Sequence, residues 1–231
     1  MDPTGTVAVV TGASSGIGEA TARALGREGC AVALVARRED RLENVAEEID
    51  ARTLAVPTDV TDEAAVRSMV EEVREELGDI DVLVNNAGVA RGGPVAEADL
   101  AALRRNVRVN LEGVMNVTHA ALPNMLETGG GDVVTVSSLS ARFPQEGGSG
   151  YTASKFGVNG FCRSLRKEMS DESVRVTIVM PGPVVTELND WEHWDGRAMD
   201  PADVAETIVF AVSRPEHVEL TEIGVNTTEK R

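Results

Sequence analysis

The chain alternates short apolar runs, each long enough for a buried strand, with longer segments that have the apolar spacing of a helix. The apolar runs cover residues 7–10, 31–35, 53–60, 81–84, 132–136 and 174–179. Helical spacing follows the first four runs, at about residues 20–25, 42–49, 63–77 and 100–125. This order predicts an α/β fold in which a parallel, doubly wound sheet carries helices on both faces.

The whole chain fits one domain. Its 231 residues can bury a sizeable core, and no stretch rich in Pro, Gly and Ser divides them. We therefore expect a single domain over residues 1–231.

Glycines after the first apolar run form a pattern typical of dinucleotide binding. Residues 11–18 read TGASSGIG and lie between a predicted strand and a predicted helix. In that setting glycines permit a tight turn, let the backbone approach a pyrophosphate, and direct a helix N-terminus at its negative charge. Glycines also end strands for purely steric reasons, so this motif does not identify the site by itself.

The end of the second predicted strand indicates which dinucleotide is bound. An NAD-binding fold usually has Asp or Glu here, which accepts hydrogen bonds from the ribose 2′-hydroxyl. This chain has Ala36 followed by Arg37 and Arg38, whose guanidinium groups could hold a 2′-phosphate through paired hydrogen bonds. The sequence therefore favours NADP over NAD, unless the two arginines only open a solvated turn.

Polar residues end three further predicted strands. Asp59 ends the third, Asn85 and Asn86 follow the fourth, and Ser137 and Ser138 follow the fifth. Open α/β sheets bind ligands at this edge, so we expect several of these side chains to line a ligand site. For Asn86 we expect a structural role instead, in which its side chain hydrogen-bonds neighbouring strands together.

Tyr151 and Lys155 are the strongest candidates for chemistry. Four residues apart on a helix, they share one face, with Cβ atoms about 5–6 Å apart. A tyrosine with a pKa of about 10 is a poor base at neutral pH, and a nearby cation lowers that pKa. The glycine-rich loop before Tyr151 allows Ser138 to approach its hydroxyl. The alternative is a surface Tyr and Lys that share a helix face by chance.

Together these motifs resemble the short-chain dehydrogenase/reductase family over nearly the whole chain. The matching residues are 11–18, 85–88, Asn110, the set Ser138, Tyr151 and Lys155, and Pro181 and Gly182 with Thr186. The resemblance implies a Rossmann-type sheet of about seven parallel strands. It also implies a cofactor half over about residues 1–135, catalytic and substrate elements over about 136–231, and a homodimer or homotetramer.

The resemblance assigns a role to each matching residue. Tyr151 is implied to be the proton donor in carbonyl reduction or the base in alcohol oxidation, and Ser138 to hold the substrate oxygen. Lys155 is implied to bind the cofactor ribose and to lower the Tyr151 pKa, and Asn110 to hold a water that links Lys155 to solvent. Besides Tyr151 and Lys155, the implied cofactor contacts are Gly12, Ser14, Ser15, Gly16, Ile17, Gly18, Arg37, Arg38, Asp59, Val60, Asn85, Ala87, Gly88, Pro181, Gly182, Val184 and Thr186.

Within the family, residues 35–38, 201–205 and 215–223 loosely resemble the NADP-dependent 3-hydroxy acid and serine dehydrogenases. The segment 188–200 is expected to cover the substrate, but its sequence does not align. Trp191 and Trp194 fit either the apolar face of a lid or the anchors of a short helix. We expect His193 to be exposed rather than a metal ligand.

The charge balance narrows the range of partners. Asp and Glu total 38 against 22 basic residues, for a net charge of −16. Such a surface repels nucleic acid and anionic lipid, so we expect neither nucleic acid nor a membrane as a partner. The acidity fits either a salt-rich cytoplasm, where screening removes the self-repulsion, or an ordinary acidic enzyme from a genome that favours arginine codons.

Cysteine spacing and terminal composition point to the same compartment. Cys30 and Cys162 match neither a metal-ligand spacing nor a disulfide framework. The first residues lead into an apolar strand without a basic, export-type segment. We therefore expect a cytoplasmic protein that binds no metal.

The leading hypothesis is an NADP(H)-dependent oxidoreductase that interconverts a carbonyl and a secondary alcohol of a small molecule. Two others remain open: a nucleotide-sensing protein without turnover, and an isomerase or dehydratase that uses bound nicotinamide transiently. The intact set of Ser138, Tyr151 and Lys155 argues against the sensor, because family members without turnover generally lose at least one of the three.

Overall fold

A computed structural model of the chain describes residues 3–188 and 197–228. Seven strands within this part of the chain form one parallel sheet. They are β1 (Val7–Thr11), β2 (Ala31–Ala36), β3 (Thr53–Pro57), β4 (Val82–Asn85), β5 (Gly131–Val136), β6 (Val174–Pro181) and β7 (Glu222–Val225). Their spatial order is β3-β2-β1-β4-β5-β6-β7, and every pairing is parallel. The predicted fold class is confirmed.

Helices cover both faces of this sheet. They are α1 (Gly16–Arg27), α2 (Glu39–Glu47), α3 (Glu63–Glu76), α4 (Leu100–Val107), α5 (Gly113–Glu127), α6 (Ser149–Glu168) and α7 (Pro201–Val212). One core cluster joins α3, α5 and α6 to the sheet, and a second joins α1, α2 and α7 to the opposite face.

Strand β1 shows why the strands read as continuous apolar runs. Val7 and Val9 belong to one core cluster, while Ala8 and Val10 belong to the other. Successive side chains of a strand point to opposite faces, so a strand covered on both sides needs apolar residues at every position. The same burial on both faces requires a helix between consecutive strands.

The strand order reverses beside β1, and this reversal positions the site. The chain moves from β1 outward to β2 and β3, then returns to place β4 on the other side of β1. At such a switch point the loops after neighbouring strands turn away from each other and leave a crevice at the carboxyl ends of the strands.

Two elements differ from the sequence prediction. The helix predicted over residues 100–125 is divided by a π-helical turn, Arg108–Glu112, between α4 and α5. The third strand ends at Pro57, not near residue 60, because Asp59 forms a local turn in which its Oδ1 accepts hydrogen bonds from the Thr61 backbone (2.9 Å) and hydroxyl (2.8 Å). That turn directs Asp59 and Val60 toward the crevice.

Candidate active site

A cleft of about 840 Å³ opens at the carboxyl ends of the strands, within the usual size range of a small-molecule site. Most of the residues predicted to form the site line it. They are Gly12, Ser14, Ser15, Gly16, Ile17, Arg37, Arg38, Asp59, Val60, Ala87, Gly88, Ser138, Tyr151, Lys155, Pro181, Gly182, Val184 and Thr186. The topology therefore brings residues from six separate strand ends to one cavity.

Gly18 and Asn85 were predicted as cofactor contacts but do not line the cleft. A Cβ atom on Gly18 would overlap the carbonyl oxygen of Gly12, so this glycine lets α1 pack against the end of β1. Asn85 is only 2% exposed, and its amide donates to Thr118 Oγ1 on α5 at 2.9 Å. The neighbouring Asn86 lines the cleft instead.

Asn86 also has the structural role that was predicted for it. Its side-chain amide donates to the Thr11 carbonyl oxygen at 2.9 Å, and its backbone N–H donates to Thr11 Oγ1 at 2.9 Å. Asn86 thereby fixes the loop after β4 to the end of β1, on the two sides of the switch point.

Asn110 lies in the π-helical turn, is fully buried, and holds the wall of the cleft together. Its side chain exchanges two hydrogen bonds with the Val89 backbone, at 2.8 and 2.9 Å, and donates to Ser154 Oγ on α6 at 2.9 Å. Gly88 passes so close that a Cβ atom there would lie 3.3 Å from Asn110 Oδ1. The role of Asn110 in holding a water stays a prediction.

The glycine-rich turn has the geometry that an anion site needs. Gly12 and Gly16 have φ angles of +70° and +59°, in the region that favours glycine. Helix α1 begins at Gly16, and Ser15 at its N-cap makes no side-chain hydrogen bond to the first turn. The first backbone N–H groups of α1 are thus left without a capping side chain, at the positive end of the helix dipole.

Arg38 lies against this turn and connects it to the far wall of the cleft. Its guanidinium donates to Ser14 Oγ at 2.9 Å and to Ser15 Oγ at 2.9 Å. On its other edge Arg38 pairs with Glu187 at 2.9 Å, which also pairs with Arg41 at 2.5 Å. Arg37 is exposed on the cleft wall.

Ser138, Tyr151 and Lys155 meet deeper in the cleft. Ser138 follows β5, and its side chain lies close enough to the Tyr151 hydroxyl to influence the pKa of that phenol. Tyr151 lies in the first turn of α6, and Lys155 lies one turn later on the same face. Lys155 is 5% exposed, donates from Nζ to the Val136 carbonyl oxygen at 2.9 Å, and lies 5.8 Å from the centre of the Tyr151 ring.

Burial acts on both ionisable groups and favours the neutral form of each. It raises the pKa of Tyr151 above its ordinary value, an effect that the interaction with the Ser138 side chain opposes in part. It lowers the pKa of Lys155 to about 8. Lys155 has therefore lost its proton before the pH at which Tyr151 ionises. In the chain without ligands, the net shift of the Tyr151 pKa is upward, opposite in direction to the lowering that the family resemblance implies.

Several residues on the cleft wall were not singled out from the sequence. They include Glu187, Glu146, Phe143, Arg91 and Thr152, and the Thr152 hydroxyl is buried without a hydrogen-bond partner. All but Thr152 lie in irregular segments with no periodic pattern, so only their adjacency to the motifs could have suggested them. Trp191 and Trp194, for which a lid face and a helix anchor were both open, and His193, which was expected to be exposed, fall outside the described residues.

Two further features were sought among residues 3–188 and 197–228. No cluster of three or more His, Cys, Asp or Glu side chains is placed to hold a metal ion. No helix there has the length and apolar character needed to cross a membrane.

A doubly wound parallel sheet, a glycine-rich turn and a Ser-Tyr-Lys cluster at one cleft define a Rossmann-type enzyme site. Residues 6–195 match the family model for short chain dehydrogenases. A glycine betaine reductase of Emericella nidulans is 42% identical over 95% of this chain, although the matched region is 18% of that protein. An uncharacterized oxidoreductase of Staphylococcus saprophyticus is 38% identical and is matched over 96% of its length.

A solved structure gives the same result. The closed form of a serine dehydrogenase complexed with NADP⁺ superposes with a TM-score of 0.91 at 30% identity, covering 95% of this chain and 94% of that one. The protein belongs to the short-chain dehydrogenase/reductase family and is an oxidoreductase of that family.

The pKa relation between Tyr151 and Lys155 can be measured directly, because Tyr151 is the only tyrosine in the sequence. We expect the phenolate absorbance of the ligand-free protein to appear at a higher pH than that of the unfolded chain. Lys155→Met should move this midpoint by less than about half a pH unit, because the lysine is already neutral there.

Tyr151→Phe is the control for this titration, since it removes the phenolate signal entirely. A midpoint below that of the unfolded chain, restored upward by Lys155→Met, would show that the lysine already activates the tyrosine without a ligand.

Proposed function

We propose that the protein is an NADP(H)-dependent oxidoreductase that interconverts a carbonyl group and an alcohol of a small molecule, a secondary alcohol where the carbonyl compound is a ketone. The observation that carries the proposal is that the Ser138 and Tyr151 side chains meet in the wall of one cleft, together with Lys155. Two adjacent hydroxyls, one of them phenolic, can together bind and protonate a carbonyl oxygen.

The residues of the cleft fit a nicotinamide dinucleotide. The uncapped N-terminus of α1 and the close approach allowed by Gly12 and Gly16 suit a pyrophosphate. Gly88, Tyr151 and Lys155 line the same cleft, so the nicotinamide half of such a molecule would lie beside Tyr151. When bound, the dinucleotide supplies or accepts the hydride.

Residues of the protein donate the proton in reduction and replace it afterwards. In reduction, Ser138 and Tyr151 bind the substrate oxygen, and Tyr151 donates its proton as negative charge develops on that oxygen. The raised pKa of Tyr151 keeps the phenol protonated at neutral pH, which suits a proton donor. Lys155, with a pKa of about 8, is mostly protonated at neutral pH and lies on the same helix face to return a proton to the site.

Positive charge after β2 supports a preference for NADP over NAD. Arg37 and Arg38 follow β2, where the adenosine ribose of a dinucleotide is expected, and neither Asp nor Glu stands at Ala36. The serine dehydrogenase neighbour is described with NADP⁺. The Arg38 guanidinium beside Ser14 and the exposed Arg37 on the cleft wall provide donors for a 2′-phosphate.

The substrate end of the cleft suits a cationic carbonyl compound. Phe143 is 67% exposed there, and Glu146 lies on the same loop. An aromatic face and a carboxylate are the groups that hold a quaternary ammonium. The glycine betaine reductase relative is named for a trimethylammonium compound. Arg91 on the same wall would favour a carboxylate instead, as in the substrate of a serine dehydrogenase.

We further propose a cytoplasmic homodimer or homotetramer, as the family resemblance implies. Large apolar side chains lie exposed on the outer helices, among them Phe156 on α6 and Phe210 on α7, at 48% and 50% exposure. A subunit interface would bury such side chains.

Tyr151→Phe tests the chemical assignment. We expect turnover to fall by about 10²-fold or more, because the phenyl ring has no proton to give, while the NADPH dissociation constant changes little. Steady-state rates and NADPH fluorescence titration measure the two effects. Retention of most of the activity would remove Tyr151 from the mechanism.

Arg37→Gln with Arg38→Gln tests the cofactor preference. We expect NADPH binding to weaken by about tenfold or more, because charge-assisted hydrogen bonds to the 2′-phosphate are lost, with little change for NADH. Arg27→Gln with Arg74→Gln changes the net charge equally on the outer helices and should affect neither. Equal losses for NADPH and NADH would refute the preference.

An isosteric pair of aldehydes tests the substrate class. Trimethylammonioacetaldehyde and 3,3-dimethylbutanal differ only in a charged nitrogen or a neutral carbon. We expect kcat/KM to favour the cation by about tenfold, and Glu146→Gln to reduce that preference. A preference for the neutral aldehyde, or for an anionic substrate such as 3-oxopropanoate, would exclude the cationic class and leave the role of Tyr151 intact.

A further inference from the structure

Glu187 reaches across the cleft to arginines that follow a distant strand. It comes directly after Thr186, in the loop beyond β6, yet its carboxylate pairs with Arg38 at 2.9 Å and with Arg41 at 2.5 Å. These arginines belong to the segment after β2, nearly 150 residues earlier in the chain. The contact therefore joins two walls of the cleft that no strand pairing connects.

The neighbouring contacts show what this contact covers. Thr186 packs against the glycine-rich turn, because a Cβ atom on Gly16 would lie 3.0 Å from Thr186 Cγ2. Glu187 is next in the chain, and Arg38 also donates to Ser14 and Ser15 of the same turn. The carboxylate is thus held beside the N-terminus of α1, where the phosphate groups of a dinucleotide are expected.

Both hydrogen-bonding edges of Arg38 are occupied in this arrangement. Nε and Nη2 face the serine hydroxyls, and Nη1 faces Glu187. The two arginines hold the pKa of Glu187 below its usual range, so the side chain is an anion at neutral pH. A 2′-phosphate that bound the same guanidinium groups would find them already paired with the Glu187 carboxylate.

We infer that Glu187 is a specificity-determining residue, whose carboxylate occupies Arg38 and Arg41 in the ligand-free protein and competes with the 2′-phosphate of NADP(H) for them. This inference rests on the proposed dinucleotide function. NADP(H) must displace Glu187 from the guanidinium groups, whereas NAD(H) has no phosphate at that position and leaves the pairs intact. Glu187 therefore narrows the preference for NADP(H) that the arginines create.

The expected size of the effect follows from exposure. Arg38, Arg41 and Glu187 keep 39%, 43% and 56% of their side-chain surface accessible, and an exposed ion pair changes an equilibrium by at most about fivefold. Two such pairs of intermediate strength, about 0.35–0.7 kcal/mol each, together give a range of about three- to tenfold. Screening reduces this range at high salt, so the measurement belongs at low ionic strength.

Glu187→Gln tests the inference by binding alone, without turnover. We expect the dissociation constants of NADPH and of adenosine 2′,5′-bisphosphate to fall by about three- to tenfold. Those of NADH and AMP should stay within about twofold, because neither carries a 2′-phosphate. Fluorescence titration for the reduced dinucleotides and calorimetry for the adenosine fragments measure the two pairs.

Glu39→Gln is the matched control, since it removes the same charge directly beside Arg38 in the chain. If Glu39→Gln tightens NADPH binding as much as Glu187→Gln, or if Glu187→Gln tightens NADH equally, a general field effect replaces competition and the inference is wrong. Weaker NADPH binding in Glu187→Gln would also overturn it, because Glu187 would then position the arginines rather than compete. Either result leaves the test of Tyr151 untouched.

Discussion

Every strand of the sheet runs in the same direction, and the site depends on this constraint. Parallel pairing brings all seven carboxyl ends to one edge, so residues far apart in the chain meet there without long loops. It also requires a helix between consecutive strands, which buries both faces of the sheet. The core therefore has two apolar layers, and polar groups gather at the edge where the strands end.

The protonation states in the site depend on the burial of its ionisable groups. Burial of the Lys155 ammonium lowers its pKa from 10.5 to about 8, which corresponds to a cost of about 3 kcal/mol of folding free energy below pH 8. This cost fades as the pH rises from about 8 toward 10.5, because the unfolded chain still binds the proton that the folded chain has released. An apolar side chain at position 155 would fill the same space without this cost, so packing alone does not account for Lys155.

The sequence was sufficient for the fold because its two periodicities are strong. Apolar runs covered on both faces and amphipathic helices leave few other arrangements, and most of the motif residues follow strands that end at one edge. The two adjacent asparagines show what the sequence alone could not predict. Asn85 and Asn86 are chemically identical in the sequence, and only the pleat of β4 decides that one faces Thr118 and the other the cleft.

Contacts between segments that are far apart in the chain could not be predicted from the sequence, for a different reason. The pairing of Glu187 with Arg38 and Arg41 has no period or spacing, since it depends on how the segment after β6 folds back over the glycine-rich turn. The relation of Tyr151 to Lys155 was visible as a spacing, but its electrostatic sign depends on burial. Spacing gives proximity, while solvent access decides which group holds the proton.

The π-helical turn at Arg108–Glu112 has a consequence for how this chain can vary in length. A wider turn accommodates one residue more than a regular helix does, and one residue corresponds to about 100° of rotation around the helix axis. Helix α4 packs on α6 while α5 packs on α3, so the two halves already face different neighbours. Losing a single residue there would rotate α4 relative to α5 and turn one of the two helices away from its neighbour. The packing of both helices therefore fixes the number of residues in this turn.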